Sequence, residues 1–216
     1  MIIGIWGWAQ AGKDTVADHL CSDWEFSKIF FSWKMKEVCK DIWDFSDEQL
    51  YGDLKEVPDE RYPLSGLCPN CHMPCPVRPD GNGNVYWCIP CNRGYPKHLT
   101  PRLALQSLGS EYGRTLYRYI WINHTFRYID ERPDVLNWVI SDVRIADEFN
   151  AIKNRGGIII KLRRGGKRFN HESENEIASM PEEQFDLVLE DKASPKENFR
   201  RIDEEMPRLQ SITECV

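Results

Sequence analysis

The chain has 216 residues, 41% of them apolar, with 28 Lys plus Arg against 34 Asp plus Glu and a formal net charge of −6. That length accommodates one α/β domain with an insertion and a full hydrophobic core, and no apolar run approaches the ~20 residues of a membrane-spanning helix. The charge is uneven: residues 170–216 carry 13 acidic and 5 basic side chains, while the remainder sums to +2. This suits a small polyanionic ligand and excludes attraction to duplex DNA by charge alone.

The chain opens on an apolar run in which Ile2–Trp6 is read as a buried strand. Gly7-Trp8-Ala9-Gln10-Ala11-Gly12-Lys13-Asp14-Thr15 follows, and then a helical stretch, Thr15–Cys21. Strand, glycine-containing turn and helix is the setting in which this pattern marks a phosphate-binding loop. Successive backbone N–H groups with a helix N-terminus behind them form a concave anion site. Lys13 adds a charge able to follow the β- and γ-phosphates into the transition state. Gly7, Ala11, Gly12, Lys13, Asp14 and Thr15 are therefore the candidate nucleotide-binding residues, with Lys13 also a candidate catalytic group. The position after the lysine usually carries the hydroxyl that meets Mg²⁺; here it is Asp14, and the hydroxyl comes one residue later in Thr15. The N-terminus has neither the basic flank nor the cleavage site of a signal peptide.

Lys28–Phe31 reads as a second short strand. Trp33–Phe45 has the helical period in Met35, Val38, Cys39, Ile42 and Trp43. Residues 46–66 are charged and turn-rich and are expected to form part of a mobile cover. Gly66–Tyr95 is dense in Cys, Pro, Gly and Asn and lacks a helical period, so it reads as an inserted module. The predicted organisation is a core of residues 1–65 and 96–216 around a module of residues 66–95.

Within that module Cys68-Pro-Asn-Cys71 and Cys88-Ile-Pro-Cys91 are separated by sixteen residues. Two such knuckles place four thiolates tetrahedrally around a structural Zn²⁺ and leave no open position for catalysis. His72 and Cys75 are substitutes if one of the four is displaced. The competing reading, two redox-active pairs, lacks the thioredoxin-like βαβ surroundings. Cysteine pairs of this type point to a reducing, cytoplasmic setting rather than to disulfides. Arg78, Arg93, Tyr86 and Trp87 would permit contact with a single nucleic-acid strand, although nucleic acid is not the expected ligand.

Helical sequence resumes at Thr100-Pro101, an N-cap hydroxyl followed by proline at the first helical position. Trp138-Val139-Ile140-Ser141-Asp142 is a β-rich run ending in an acid. Asp142 stands where the acid of a second nucleotide-binding motif holds Mg²⁺, directly or through water, or else caps the next helix. Arg144 brings its charge near the same strand end, with an ion pair to Asp147 or Glu148 as the alternative use. Ile145–Arg155 is helical and stops at Gly156-Gly157; Ile158–Leu162 is another core strand. Arg163, Arg164, Lys167 and Arg168 then form a basic loop around Gly165-Gly166. Guanidinium groups on a closing loop stabilise charge in phosphoryl transfer, so Arg164 and Arg168 are catalytic candidates; a solvated turn is the other reading. Phe185–Leu189 is a last strand, and Ser194-Pro195-Lys196-Glu197 carries a capping box that opens a C-terminal helix. Strands alternating with helices predict an α/β fold, a three-layer sandwich with a mostly parallel sheet of the P-loop NTPase type. The loop, Asp142 and the basic segment all follow carboxyl ends of strands, where ligands bind in such sheets.

With the phosphate loop, two further stretches resemble the deoxynucleoside monophosphate kinases of tailed bacteriophages. They are Thr100-Pro-Arg-Leu-Ala-Leu-Gln106-Ser-Leu-Gly109-Ser110-Glu111 with Trp121, and Val139-Ile-Ser-Asp142-Val-Arg144-Ile-Ala-Asp-Glu148. The ending His171-Glu-Ser173-Glu174 is similar too, and the Gly-Lys-Asp-Thr wording of the loop resembles that family. The similarity covers residues 1–61 and 100–210 and leaves the cysteine module as an insertion. It implies transfer of the γ-phosphate of ATP, with Mg²⁺, to a deoxynucleoside 5′-monophosphate, in the host cytoplasm if the gene is a phage's. The family's acceptor site maps to Lys36, Arg102, Gln106, Gly109, Ser110, Trp121, Asp142, Arg144 and Glu148. Lys36 and Arg102 suit a phosphate, Arg102 in bidentate fashion; Trp121 suits stacking on a base or packing in the core; Gln106 and Glu148 suit a base edge or the 3′-hydroxyl. A homodimer is compatible with the sequence, which does not decide it. Two other functions stay open: a kinase of another phosphate acceptor such as dephospho-coenzyme A, and a nucleotide-gated nucleic-acid-binding protein using the zinc module.

Overall fold

Ile2–Trp6 forms a strand because its residues other than Gly4 are apolar and β-branched or aromatic, and it is buried on both faces. In the computed structural model, which describes residues 1–8, 10–80, 83–163, 180–190 and 194–214, the chain makes two compact units. Met1–Phe31 with Ile122–Val216 is the first, and Ser32–Trp121 the second. The elements in chain order are β1 (Ile2–Trp6), α1 (Lys13–Trp24), β2 (Ser27–Ile29), α2 (Trp33–Trp43), α3 (Asp47–Tyr51), β3 (Val77–Asp80), β4 (Gly83–Cys88) and β5 (Arg93–Tyr95). After them come α4 (Pro101–Gln106), α5 (Ile120–Asp130), β6 (Trp138–Val143), α6 (Ala146–Lys153), β7 (Ile158–Leu162), β8 (Leu187–Leu189) and α7 (Pro195–Glu214).

The first unit is built on a five-stranded sheet in the order β2-β6-β1-β7-β8, every pairing parallel. Its faces follow from alternation along the strands. Ile3 and Ile5 of β1 and Val139 of β6 join Val16, Ala17 and Leu20 of α1 and Ile202, Met206 and Leu209 of α7 in one core. On the opposite face Gly4 admits α6: a Cβ there would stand 2.6 Å from the Cδ1 of Ile152. Trp6 on that face meets Phe149 edge-on at 5.9 Å and Phe185 at 5.8 Å. The strand order reverses direction between β1 and β6, the place where ligands enter such sheets. The mostly parallel α/β architecture read from the sequence is the one observed. No helix among the described residues is long and apolar enough to cross a membrane.

The long α7 starts with the expected capping box: Ser194 N donates to Glu197 Oε2 at 2.6 Å, and Glu197 N donates to Ser194 Oγ at 3.3 Å. It is tied to α1 by one carboxylate. Asp203 Oδ1 accepts from the Trp24 indole and lies against His19 Nε2, each at 2.8 Å, while the His19 ring stacks on Phe199 at 4.3 Å.

The second unit holds the antiparallel sheet β3-β4-β5. Its core runs without a break from Cys39 of α2 and Leu103 of α4 to Cys68, Cys88 and Tyr95. The ends of the cysteine-bearing stretch are zipped together: Leu64 N donates to Lys97 O at 2.8 Å, and Leu99 N to Tyr62 O at 2.8 Å. The segment expected as a mobile cover contains α3 and a 3₁₀ turn, Asp53–Glu56. Asp59 anchors it by accepting from Arg61 Nε at 3.0 Å and Nη2 at 2.8 Å and from Gln49 at 3.0 Å. Thr100 caps α4 as expected, accepting from Leu103 N at 3.0 Å. The helix then widens to π geometry over Ser107–Arg114, a form that recurs at functional sites. Trp121 stabilises the widened turn by donating its indole N–H to Gly109 O at 3.0 Å. Two glycines make the room: a Cβ on Gly109 would lie 2.6 Å from the Met35 sulfur, and one on Gly113 would lie 2.5 Å from Leu108 O and 3.0 Å from the Trp121 ring.

Two outcomes are expected. Burial pushes the Asp203 carboxyl up, but the hydrogen bonds from Trp24 and His19 outweigh it and hold the group below the usual carboxylate range. Its contribution is therefore complete above the unfolded-state value of about 4 and is lost as pH falls through the lower, folded-state value. Thermal melts from pH 6 to 3 should show a larger loss in the wild type than in Asp203→Asn, which should already melt roughly 2–8 °C lower at pH 7. Gly113→Ala should cost about 1–3 kcal/mol by overpacking against a carbonyl and a ring, read as a lower urea midpoint with an unchanged m value.

Candidate functional site

The turn between β1 and α1 is shaped by its glycines and by one left-handed glutamine. Gly7 follows β1 directly, and a Cβ on it would press on Leu162 at 3.2 Å. Gln10 (φ 63°) and Gly12 (φ 93°) are both left-handed, a conformation that glycine adopts without penalty. Ala11 N donates to Trp8 O at 3.2 Å, closing the turn. Gly12 is the N-cap of α1 and offers no side-chain acceptor, so among the described residues the first N–H groups of the helix have no side-chain cap, the condition under which a helix end can take an anion.

Lys13 is 7% exposed, and its Nζ donates to Gly7 O at 2.7 Å and Trp8 O at 2.6 Å. A buried ammonium needs such partners, and carbonyls of the loop itself hold this one inside the concavity. Asp14 and Thr15 lie exposed on the first turn of α1. Asp14 Oδ1 accepts from Ser141 Oγ of β6 at 2.9 Å.

At the end of β6, where the register against β1 shifts, neighbouring side chains find different partners. Asp142 Oδ1 accepts from Phe31 N at 2.7 Å, just beyond β2, whereas Ser141 faces α1. Sequence reading singled out Asp142 and passed over Ser141, although the alternation of β6 was there to find it. Arg144 makes no ion pair with Asp147 or Glu148 among the described residues. Its backbone N–H instead donates to Glu148 Oε2 at 2.8 Å, as Ile145 N does at 3.3 Å. Glu148, 3% exposed, thus turns Oε2 of its carboxylate on the start of its own helix. Of the basic loop, Arg163 pairs with Glu182 and with Glu190; Arg164 and Arg168 lie outside the described residues.

The remaining candidates belong to the second unit. Lys36 places its ammonium 4.0 Å from the centre of the Tyr51 ring. Arg102 Nε donates to Glu56 Oε1 at 2.8 Å, a partner that the sequence did not suggest. Gln106 ends α4, and Gly109 and Ser110 lie in the π turns. Gly109 is buried, and Gln106 and Ser110 are half-buried. Trp121 is half-buried, with its N–H engaged by Gly109. Glu111, on the same turns, has a buried Oε2 with no hydrogen-bond partner among the described residues.

Cys68, Cys71, Cys88 and Cys91 bring four sulfurs within 4.8 Å of one another, with Cys71 and Cys88 at 3.4 Å. The two knuckles are alike. Cys71 N donates to Cys68 Sγ at 3.5 Å and Cys91 N to Cys88 Sγ at 3.4 Å, and the residue after each second cysteine, His72 or Asn92, is left-handed. Burial raises the Cys68 thiol, but Tyr95 and the amides of Cys71 and Asn70 outweigh it and leave it at about 6. Burial pushes Cys88 up to about 11. Four cysteine sulfurs this close form a donor set that fits zinc. Cys75 stays outside the set, donating to Met73 O at 3.5 Å. The first knuckle also touches the π turns, where the rings of His72 and Tyr112 lie 6.2 Å apart.

No protein-family model matches the chain. It is 29% identical over 206 residues, 94% of each chain, to a protein of Acanthamoeba polyphaga mimivirus that is named, provisionally, a deoxynucleotide monophosphate kinase.

Proposed function

We propose that this chain is a nucleotide kinase that transfers the γ-phosphoryl group of ATP to a deoxynucleoside 5′-monophosphate. The observation that carries the reading is the loop before α1, with left-handed Gly12, an N-terminus without a side-chain cap and the buried Lys13 ammonium held on loop carbonyls. The mimivirus relative supports the choice of acceptor class, since its name says as much of that protein and its match spans nearly the whole chain. Residues 1–65 and 96–216 are the kinase core in this reading and residues 66–95 a zinc-binding insertion.

In the reaction an oxygen of the acceptor phosphate attacks the γ-phosphorus, the bond from that phosphorus to the β–γ bridging oxygen breaks, and ADP leaves. The protein supplies alignment and charge. The loop amides of Gly12 and Lys13 hold the β-phosphate, and Lys13 leaves the Gly7 and Trp8 carbonyls for the transferring group. Asp14, Thr15 and Asp142 are the groups available to hold Mg²⁺, which neutralises charge on the phosphates when bound. Lys36 and Arg102 take the acceptor phosphate, Arg102 exchanging the Glu56 carboxylate for it. Gln106, Ser110, Arg144 and Glu148 are assigned to the acceptor nucleotide, and Arg164 and Arg168 to the transition-state charge.

A coupled ADP-release assay across deoxynucleoside monophosphates, nucleoside monophosphates and dephospho-coenzyme A tests this. ATP turnover stimulated by a deoxynucleoside monophosphate is expected; stimulation by dephospho-coenzyme A alone, or by none of them, rejects the assignment. Lys13→Ala should lower kcat roughly a hundredfold or more without unfolding the protein. Arg102→Ala should raise the acceptor KM and leave ATP affinity little changed. Metal analysis should return about one zinc per chain, lost in Cys68→Ser/Cys88→Ser; iron or no metal would remove the zinc assignment.

A further inference from the structure

A conventional phosphate-binding loop pairs a hydroxyl on the helix, just after the lysine, with a carboxylate at the end of a neighbouring strand, and Mg²⁺ lies between them. This chain has the same two groups on the same two elements with their places exchanged. The carboxylate is Asp14, in the first turn of α1. The hydroxyl is Ser141 on β6, 2% exposed, donating to Asp14 Oδ1 at 2.9 Å. Alternation along β6 sets this arrangement, because Val139 and Ser141 share the face covered by α1. Asp142, one residue on, turns to Phe31 N.

We infer that Ser141 is the positioning residue of an exchanged magnesium pair, in which Asp14 supplies the carboxylate and Ser141 fixes its rotamer. The inference rests on the nucleotide-binding reading above. A carboxylate in the first turn of a helix lies at the positive end of the helix dipole. An exposed aspartate on its own samples several rotamers and would lose that freedom on taking up an ion. A hydrogen bond from a buried hydroxyl on a rigid strand removes part of that cost beforehand and leaves Oδ2 for the cation. Outer partners of this kind commonly change metal affinity by about 10–100-fold. Only a hydroxyl can do this at position 141, so threonine should serve there and alanine should not.

The test follows ADP binding by tryptophan fluorescence, in EDTA and through a Mg²⁺ titration. Mg²⁺ should tighten ADP binding to the wild-type chain. Ser141→Ala should weaken the apparent Mg²⁺ affinity roughly 10–100-fold and leave ADP affinity in EDTA within about threefold, while Ser141→Thr retains the wild-type response. Asp14→Ser should lose the Mg²⁺ response, and the reciprocal exchange Asp14→Ser/Ser141→Asp should recover it by restoring the conventional order. An unchanged Mg²⁺ affinity in Ser141→Ala overturns the inference, and so does a folded exchange variant no better than Asp14→Ser. Should the buried aspartate of the exchange variant prevent folding, the Ser141→Ala and Ser141→Thr pair decides alone. Serine-dependent Mg²⁺·ADP binding with no phosphoryl transfer to any deoxynucleoside monophosphate overturns the kinase reading and leaves this inference standing. A wild-type chain that binds no ADP overturns both.

Discussion

β1 is hydrogen-bonded to a parallel strand along each edge and covered by helices on each face, and the first unit is arranged around that confinement. A strand held on four sides fixes where its last residue stands. The turn after Trp6 must then reach α1 within a few residues, through left-handed Gln10 and Gly12 and past Leu162 at Gly7. The same parallel pairing sets the register of β6 against β1, so that Val139 and Ser141 face α1, and it shifts after Ile140, where Asp142 turns to Phe31 N. The chemistry available beside the loop is thus decided by strand register as much as by the loop.

The second unit is organised by a different constraint. Four thiols within 4.8 Å share one apolar core with α2 and α4, so their ionisation and the packing of the helices are linked. The module is compositionally foreign but not structurally detached: Tyr95 and Cys68 are core residues, and His72 reaches Tyr112 on the π turns. Loss of a structural ion would be felt at the helix that carries the proposed acceptor residues, through contacts within this one unit.

Much of the fold was legible. The period-3.6 and β-rich runs marked the strands of the parallel sheet and most helices, though not β3, β4 and β5, and the capping signals at Thr100 and Ser194 marked helix starts, because these are local properties of neighbouring residues. The widening of α4 into π turns was not legible. It depends on Trp121 meeting the carbonyl of Gly109 and on Met35 filling the space that Gly109 leaves, contacts between residues far apart in the chain. Glu148 shows the same limit, since its contact with the amides of Arg144 and Ile145 depends on how the chain turns out of β6.

By itself the sequence determined the loop, its lysine, the cysteine knuckles and the alternation of strands and helices, because each is written in spacings of a few residues. Tertiary structure decided which side chains these elements turn toward one another. It set Arg102 on Glu56, Asp142 on Phe31 N and Ser141 on Asp14. Those pairings depend on strand register, helix rotation and close approach at glycines, which are set by the packing of the whole unit rather than by any one segment.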